Sequence, residues 1–264
     1  MLPYINIFGV QLGTYGICMV LGVTLVILLA TKRGKKYRIC FEDIIIAGTT
    51  TVSFALVGGT LLYIIVTYPI DVIIAQIKDG SFSFLNGGIV FYGGLIGGVF
   101  GAMLGVKLAK CDFTAIEYTI VPFVPLGHAI GRVGCVMAGC CHGFEYDGLF
   151  ALYYPNAVSG LSPEQGYFPI QLVEALLNIG ICIVLLICAK KLSRRYDLLI
   201  SYMGCYGVAR FILEIFRGDA VRGIYFSLSV SQWISIGMVA ICVLWFLVIR
   251  RKSRRNAVQP KKND

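Results

Sequence analysis

Arg132 stands in Gly127-His128-Ala129-Ile130-Gly131-Arg132-Val133-Gly134-Cys135, a glycine-punctuated run inside a segment otherwise apolar enough to cross a bilayer. A cation at that depth costs roughly 2.5–3.5 kcal/mol on insertion scales, so an anion or a water-filled cavity must compensate it. Gly131 and Gly134 allow a backbone or a bulky ligand to come close to the guanidinium. A second charged group lies downstream. Arg210 and Glu214 are four residues apart in an apolar run and Arg217 follows, so on a helix the three share a face, with Tyr206 one turn before Arg210. They read either as a self-neutralising pair that helps helices associate or as part of a binding site. Gln171 and Glu174 form a third group after Pro169, a residue suited to a helix's first turn. Glu174 is then either an acid favoured by the helix dipole or a member of the site. Guanidinium forks take phosphate bidentately. Three arginines and a few carboxylates in the outer half of a membrane bundle therefore predict a site for an anionic lipid headgroup. A lipid or anion transporter would use the same groups.

These residues must be positioned by membrane helices. Hydrophobic residues make up 58% of the chain and charged residues 14%, well under the soluble average of about 25% charged. Seven stretches approach the roughly 20 apolar residues that a crossing needs, at 12–30, 44–67, 86–106, 115–137, 169–189, 198–216 and 229–249. Apart from Lys78, Arg132, Arg210, Arg217 and Arg222, every one of the 23 basic residues follows the first, third, fifth or seventh span. The positive-inside rule then puts the N-terminus outside and the C-terminus in the cytoplasm. The expectation is an all-α polytopic membrane protein: one transmembrane domain over 1–249, outer loops at 68–85 and 143–168, and a basic, irregular cytoplasmic tail at 250–264. The net charge of +9 reads as topology, with no nucleic-acid partner implied. The first apolar run has no basic segment before it, so no cleavable signal is expected.

Two spans are unusual. The third begins Asn86-Gly87-Gly88-Ile89-Val90-Phe91-Tyr92-Gly93-Gly94-Leu95-Ile96-Gly97-Gly98, and the fourth holds Pro122, Pro125, Gly127, Gly131 and Gly134. Such segments are either tightly packed or broken, and broken backbone is tolerated at this depth only inside protein or lining a cavity. The expectation is broken central helices around a cavity. In the first outer loop Val72, Ile73, Ala75, Gln76 and Asp79 suggest a short interfacial helix. The aromatic residues of 143–168 suit an interfacial belt or a lid. Of the cysteines, only Cys135, Cys140 and Cys141 are clustered. The C-x4-C-C-H spacing is not a common zinc pattern, so the first reading is structural thiols and no metal or other cofactor is expected. A thiol acting in lipid transfer, a metal site and a vicinal disulfide are the alternatives.

Taken in order, Tyr92-Gly93-Gly94-Leu95-Ile96-Gly97, Gly131-Arg132-Val133-Gly134, Pro169-Ile170-Gln171-Leu172-Val173-Glu174 and the run Tyr206–Arg217 resemble the prolipoprotein diacylglyceryl transferases. Phe8-Gly9 with Tyr15-Gly16 and the late Ser229-Val230-Ser231-Gln232-Trp233-Ile234-Ser235 fit the same pattern. The resemblance implies a seven-helix enzyme of the bacterial cytoplasmic membrane. It would move the diacylglyceryl group of phosphatidylglycerol to the lipobox cysteine of a prolipoprotein signal peptide and release glycerol phosphate. Arg132, Arg210, Glu214 and Tyr92 take the catalytic positions. Tyr15, Gly93, Gly94, Gly131, Gly134, Cys135, Cys140, Gln171, Glu174, Tyr206 and Arg217 take the substrate-binding ones.

The departures bear on chemistry. The family usually has histidine where this chain has Tyr92, asparagine where it has Cys135, and glutamate where it has Cys140. A tyrosine of pKa about 10 is a poorer base. The group that deprotonates the acceptor thiol is therefore open, with His142 and Glu214 as alternatives, while His128 in mid-span reads as a packed histidine. A related transferase with another acceptor or another phospholipid is the rival reading, and the transporter is the second.

Overall fold

The structure is a computed structural model that describes residues 2–81, 88, 90–218 and 224–258. Asn86, Gly87, Ile89, Arg222, Lys261, Lys262 and the side chain of Tyr92 lie outside what is described. The chain divides into two compact units, one of residues 30–119 and the other of residues 1–29 with 120–264.

The larger unit opens with a hairpin, β1 (Tyr4–Ile7) and β2 (Val10–Gly13). Its two-residue turn, Phe8-Gly9, has positive φ at both positions, as a type I′ connection requires. Helix α1 (Thr14–Tyr37) follows and carries the chain into the second unit.

That unit is built on α2 (Phe41–Thr67), the short α3 (Ile70–Lys78) and α4 (Phe91–Ala109). Glu42 and Asp43 occupy the first turn of α2, where the dipole favours acids, and Asp43 accepts from the Cys40 amide at 3.0 Å. The expected interfacial helix is α3. From Phe91 onward the glycine-rich third span is a continuous helix, not an unwound one. Gly93, Gly97, Gly101 and Gly105 recur every four residues along α4 and face Gly58, Phe54, Thr50 and Ala47 of α2. A Cβ at any of the four would meet α2 backbone or Cβ atoms. Without a hydrophobic drive between helices in lipid, this close approach supplies the association energy, and it gives Gly93 a packing role.

α5 (Phe113–Ile120) begins with Asp112 accepting from the Ala115 amide at 2.8 Å and leads into a 3-10 turn at Val121–Phe123 and then α6 (Val124–Ala138). Pro122 and Pro125 lack the amide protons that a continuous helix needs, so the expected break in the fourth span is present, with Pro122, Phe123 and Pro125 buried. A small hairpin, β3 (Leu152–Tyr153) with β4 (Gly166–Tyr167), shapes the outer loop. Tyr154 and Tyr167 are buried there, while Phe150 and Tyr153 are exposed; the loop is thus only in part an aromatic belt. α7 (Ile170–Lys191), α8 (Asp197–Leu213, ending in a 3-10 turn at Glu214–Phe216), β5 (Ile224–Tyr225), β6 (Leu228–Ser229) and α9 (Val230–Val258) complete the unit. α6 packs on α7, α7 on α8 and α8 on α9. Trp245 of α9 donates to Asp197 at 2.9 Å, and Gly204 and Gly207 of α8 give α9 its close approach. α9 continues past the expected end at 249, so the basic stretch from Arg250 to Val258 is helical.

Six helical segments among the described residues are long and apolar enough to cross a membrane, and α4 contributes a shorter apolar one. The molecule is a multi-pass, all-α membrane protein. Gly97→Ala drives a methyl into the Phe54 carbonyl, whereas a methyl at Gly98 meets Ala55 at an ordinary 3.6 Å. Thermal unfolding in detergent micelles should show Gly97→Ala destabilised by about 1–3 kcal/mol and Gly98→Ala close to the parent.

Candidate active site

Four successive helices of the larger unit each contribute polar groups to one cluster. On α6, His128 and Arg132 are one turn apart; on α7, Glu174 is one turn in from the helix start, followed by Asn178; on α8, Tyr206 and Arg210 are again one turn apart; on α9, Ser231 lies in the first turn. Pro169 sets this register, since Leu172 and Val173 close the first turn of α7 on its carbonyl.

Glu174 is the centre. Its side chain is only 2% exposed; Oε1 pairs with Arg132 Nη2 at 3.0 Å and accepts from the Tyr206 hydroxyl at 3.2 Å, and His128 Nε2 lies 3.5 Å from it. The compensating anion demanded by Arg132 is therefore a glutamate of the chain itself. Asn178 donates to the Glu174 carbonyl at 2.9 Å, and the His128 ring lies 5.2 Å from that of Tyr206. His128 is thus packed, as expected, but it is packed into the site.

Arg210 pairs with Glu214 through Nη2 in an ion pair whose angles do not make a directed hydrogen bond, and it reaches Ser231 Oγ at 3.5 Å. Both arginines lie close enough to His128 and Tyr206 to act on their charge. Each guanidinium also keeps a buried nitrogen, Nε of Arg132 and Nη1 of Arg210, with no hydrogen-bond partner among the described residues. Unmet buried donors of this kind are rare and costly. Two of them sit on cations that share neighbours, and Asn178 Oδ1 and Glu214 Oε2 of the same cluster are acceptors likewise unmet among the described residues.

The Cys135 end of the cluster is set by the way α6 stops. Gly139, in the left-handed conformation at φ 68, donates to Val136 O at 3.3 Å, and Cys140 donates to Cys135 O at 3.1 Å. This 5→2 and 6→1 pair is a Schellman ending, and it turns Cys140 back onto Cys135. Cys141, itself at φ 56, turns the chain again, and the three sulfurs lie within 4.8 Å of one another. Cys135 Sγ is 4.0 Å from Arg132 Nη1. Hydrogen bonds from Cys135 and Cys140 hold the Cys141 thiol below its ordinary range against the cost of burial, with the fields of Arg217 and Arg132 adding to them.

Other expected site residues divide by what they touch. Tyr15 sits by the cysteines and within the field of Arg132. Gly134 allows this, because a Cβ there would strike Cys18 and Tyr15; one at Gly131 would press on Met19. Both glycines therefore seat α1. Gln171 spends its amide protons on Cys140 O at 2.9 Å and on the Tyr154 hydroxyl at 3.0 Å, so it holds the cysteine turn. Burial pushes the Tyr154 phenol up to about 12, despite the bond from Gln171. Arg217 lies past the end of α8, extended and bridged to Gly143, not on the face of Arg210 and Glu214. His142 turns Nδ1 to its neighbour's carbonyl at 2.8 Å. Tyr92, Gly93 and Gly94 belong to the other unit. Ser231 belongs to the late motif, and nothing in its spacing announces that it meets Arg210.

A sequence model of the prolipoprotein diacylglyceryl transferase family matches residues 3–248. The chain is similar to the phosphatidylglycerol–prolipoprotein diacylglyceryl transferase 2 of Clostridium perfringens, 30% identical over 253 residues, covering 95% of this chain and 96% of the relative. It is also similar to the phosphatidylglycerol–prolipoprotein diacylglyceryl transferase of Clostridium tetani, 31% identical over 247 residues, covering 93% and 96%, and to that of Bacillus cereus, 31% identical over 259 residues, covering 95% and 94%.

Removing one partner of a buried ion pair leaves an uncompensated charge, at a cost of about 3–5 kcal/mol. Arg132→Met and Glu174→Leu should each lower the unfolding temperature in micelles strongly. The double variant should lose less than the two losses added together, and strict additivity would show that the pair is not coupled.

Proposed function

The chain belongs to the prolipoprotein diacylglyceryl transferase family, and we propose that the cluster around Glu174 binds the phosphate of phosphatidylglycerol and carries the transfer of its diacylglyceryl group to the lipobox cysteine of a prolipoprotein. The observation that supports this most is the pair of unsatisfied guanidinium nitrogens, Arg132 Nε and Arg210 Nη1. Each arginine is neutralised by one carboxylate, so the cations are stable in the membrane. Each still has a directed donor for a phosphate oxygen.

The reaction forms a bond from the acceptor sulfur to a glycerol carbon and breaks that carbon's bond to the phosphate oxygen. Glycerol phosphate departs with the electron pair. The leaving group is already an anion that two guanidiniums can stabilise as its charge grows, so no strong general acid is required. The nucleophile arrives with the substrate. Tyr206 and His128, bound to Glu174, fix the carboxylate that orients Arg132. Ser231 accepts from Arg210 directly. Arg217, Tyr15 and the glycines of α6 shape the surroundings; Tyr92 keeps a proposed catalytic position, and Gly93 and Gly94 proposed substrate-binding ones, on the strength of the motif alone.

Purified protein given labelled phosphatidylglycerol and a lipobox peptide should form a thioether-linked lipid. Arg132→Gln and Arg210→Gln should each lower the rate by about 10²–10³-fold, the loss expected when one oxyanion donor is removed. Lysine at either position should rescue little, because it lacks the planar fork. Absence of product beside an active control enzyme would end the reading. Lipid moved across vesicles without a covalent change would favour a transporter.

A further inference from the structure

The phosphate site leaves three thiols unused and names no group that deprotonates the acceptor. We propose that Cys135, Cys140 and Cys141 form a three-thiolate site for a thiophilic divalent cation, zinc being the type, and that the acceptor thiol takes its fourth coordination position. The second half rests on the transferase reading; the first does not.

Geometry carries the site. The three sulfurs already lie within 4.8 Å of one another, and sulfurs about 2.3 Å from one zinc ion stand close to 4 Å apart. Small side-chain rotations close the difference. The backbone beneath is held from all sides. The Schellman ending places Cys140 on Cys135. Gln171 grips the Cys140 carbonyl, Val158 and Ser159 donate to the carbonyls of Ala138 and Gly139, and Gly218 donates to His142 O at 3.3 Å. Within this frame Cys141 keeps a left-handed conformation, φ 56, that side chains other than glycine adopt only when the surroundings over-determine it.

The donor set and the charge agree. Thiolates are soft donors that select zinc-like ions over magnesium or calcium. Three thiolates around a divalent ion carry one net negative charge, and a fourth from the acceptor makes it two; Arg132 Nη1, 4.0 Å from Cys135 Sγ, is a cation within reach of that charge. Three protein ligands with one open position is the pattern of a catalytic site, whereas a structural site is closed.

A thiol that coordinates such an ion is deprotonated outright. The acceptor would lose its proton to solvent on binding, and its sulfur would stand beside Arg132, the residue proposed to hold the lipid phosphate. Carbon–sulfur bond formation and carbon–oxygen cleavage then proceed as above, and the ion changes neither oxidation state nor number. This supplies a way to generate the thiolate in a chain with tyrosine at 92.

The test is a cobalt(II) titration of the full chain in detergent, reduced and stripped with a chelator. A thiolate-to-cobalt charge-transfer band should saturate at about one ion per chain and vanish on adding zinc. Cys135→Ser, Cys140→Ser and Cys141→Ser should each weaken binding by more than about tenfold, while Cys188→Ser, on α7 away from the cluster, keeps the band and controls for folding. A lipobox peptide should intensify the band, and the same peptide with serine for cysteine should not. No band, or one indifferent to the three serine variants, overturns the site. A disulfide among the three cysteines in protein purified with zinc and without reductant also overturns it. A bound ion whose spectrum ignores the peptide thiol overturns the role given to the acceptor. No lipid is turned over, so a failed transferase assay and a failed titration are separate results.

Discussion

A buried carboxylate makes the rest of this site possible. Arg132 lies in a helix surrounded by apolar residues, where a lone guanidinium would be strongly disfavoured. Glu174, almost wholly buried one helix away, neutralises it through a contact of 3.0 Å. The requirement that these two groups meet constrains everything around them. α7 must start at Pro169 for Glu174 to reach the right depth, and α6 must run unbroken after Pro125 for His128, Arg132 and Cys135 to share a face. Tyr206 completes the shell from α8. Arg210 repeats the arrangement on a smaller scale, with its counter-ion one turn along its own helix.

Pairing each arginine with one acid solves a problem of stability without consuming the arginine's chemistry. A guanidinium has five donors in a fixed fork, and a single carboxylate oxygen satisfies only part of it. The nitrogens left over are directed, buried and cationic. In the proposed reaction they would stabilise the second negative charge that develops on a departing phosphate more than the single charge of the bound phosphodiester, which is the condition for lowering a barrier. An exposed pair of arginines would bind phosphate too, but water would screen it.

Much of this was legible in the residues. Charged side chains are rare in apolar spans, so Arg132, Arg210, Glu214 and Glu174 could each be picked out, and so could the Pro122–Pro125 break. What the residues did not disclose was pairing. Glu174 had equal standing as a helix-start acid, because its partner is 42 positions away in sequence and no local pattern links them. His128 and Ser231 joined the site for the same reason, by contacts between helices. The glycines of the third span could mean unwinding or close packing, and only the repeat against Gly58, Phe54 and Thr50 of α2 decides for packing. Arg217 fell off the expected face because α8 tightens to a 3-10 turn at Glu214, a change that periodicity cannot register. Conversely, the C-x4-C-C spacing, uninformative as a zinc pattern, becomes intelligible once Gly139 ends α6: a Schellman turn brings together the residues five apart. The hairpin at Phe226-Ser227 carries no glycine at its two positive-φ positions, so its turn left no mark in the sequence.

The most direct test of the account is a structure of the protein with phosphatidylglycerol bound. The account predicts phosphate oxygens within hydrogen-bond distance, about 2.7–2.9 Å, of both Arg132 Nε and Arg210 Nη1, with the Arg132–Glu174 and Arg210–Glu214 pairs intact. A phosphate held by neither arginine, or by one of them only after its carboxylate has been displaced, would contradict it.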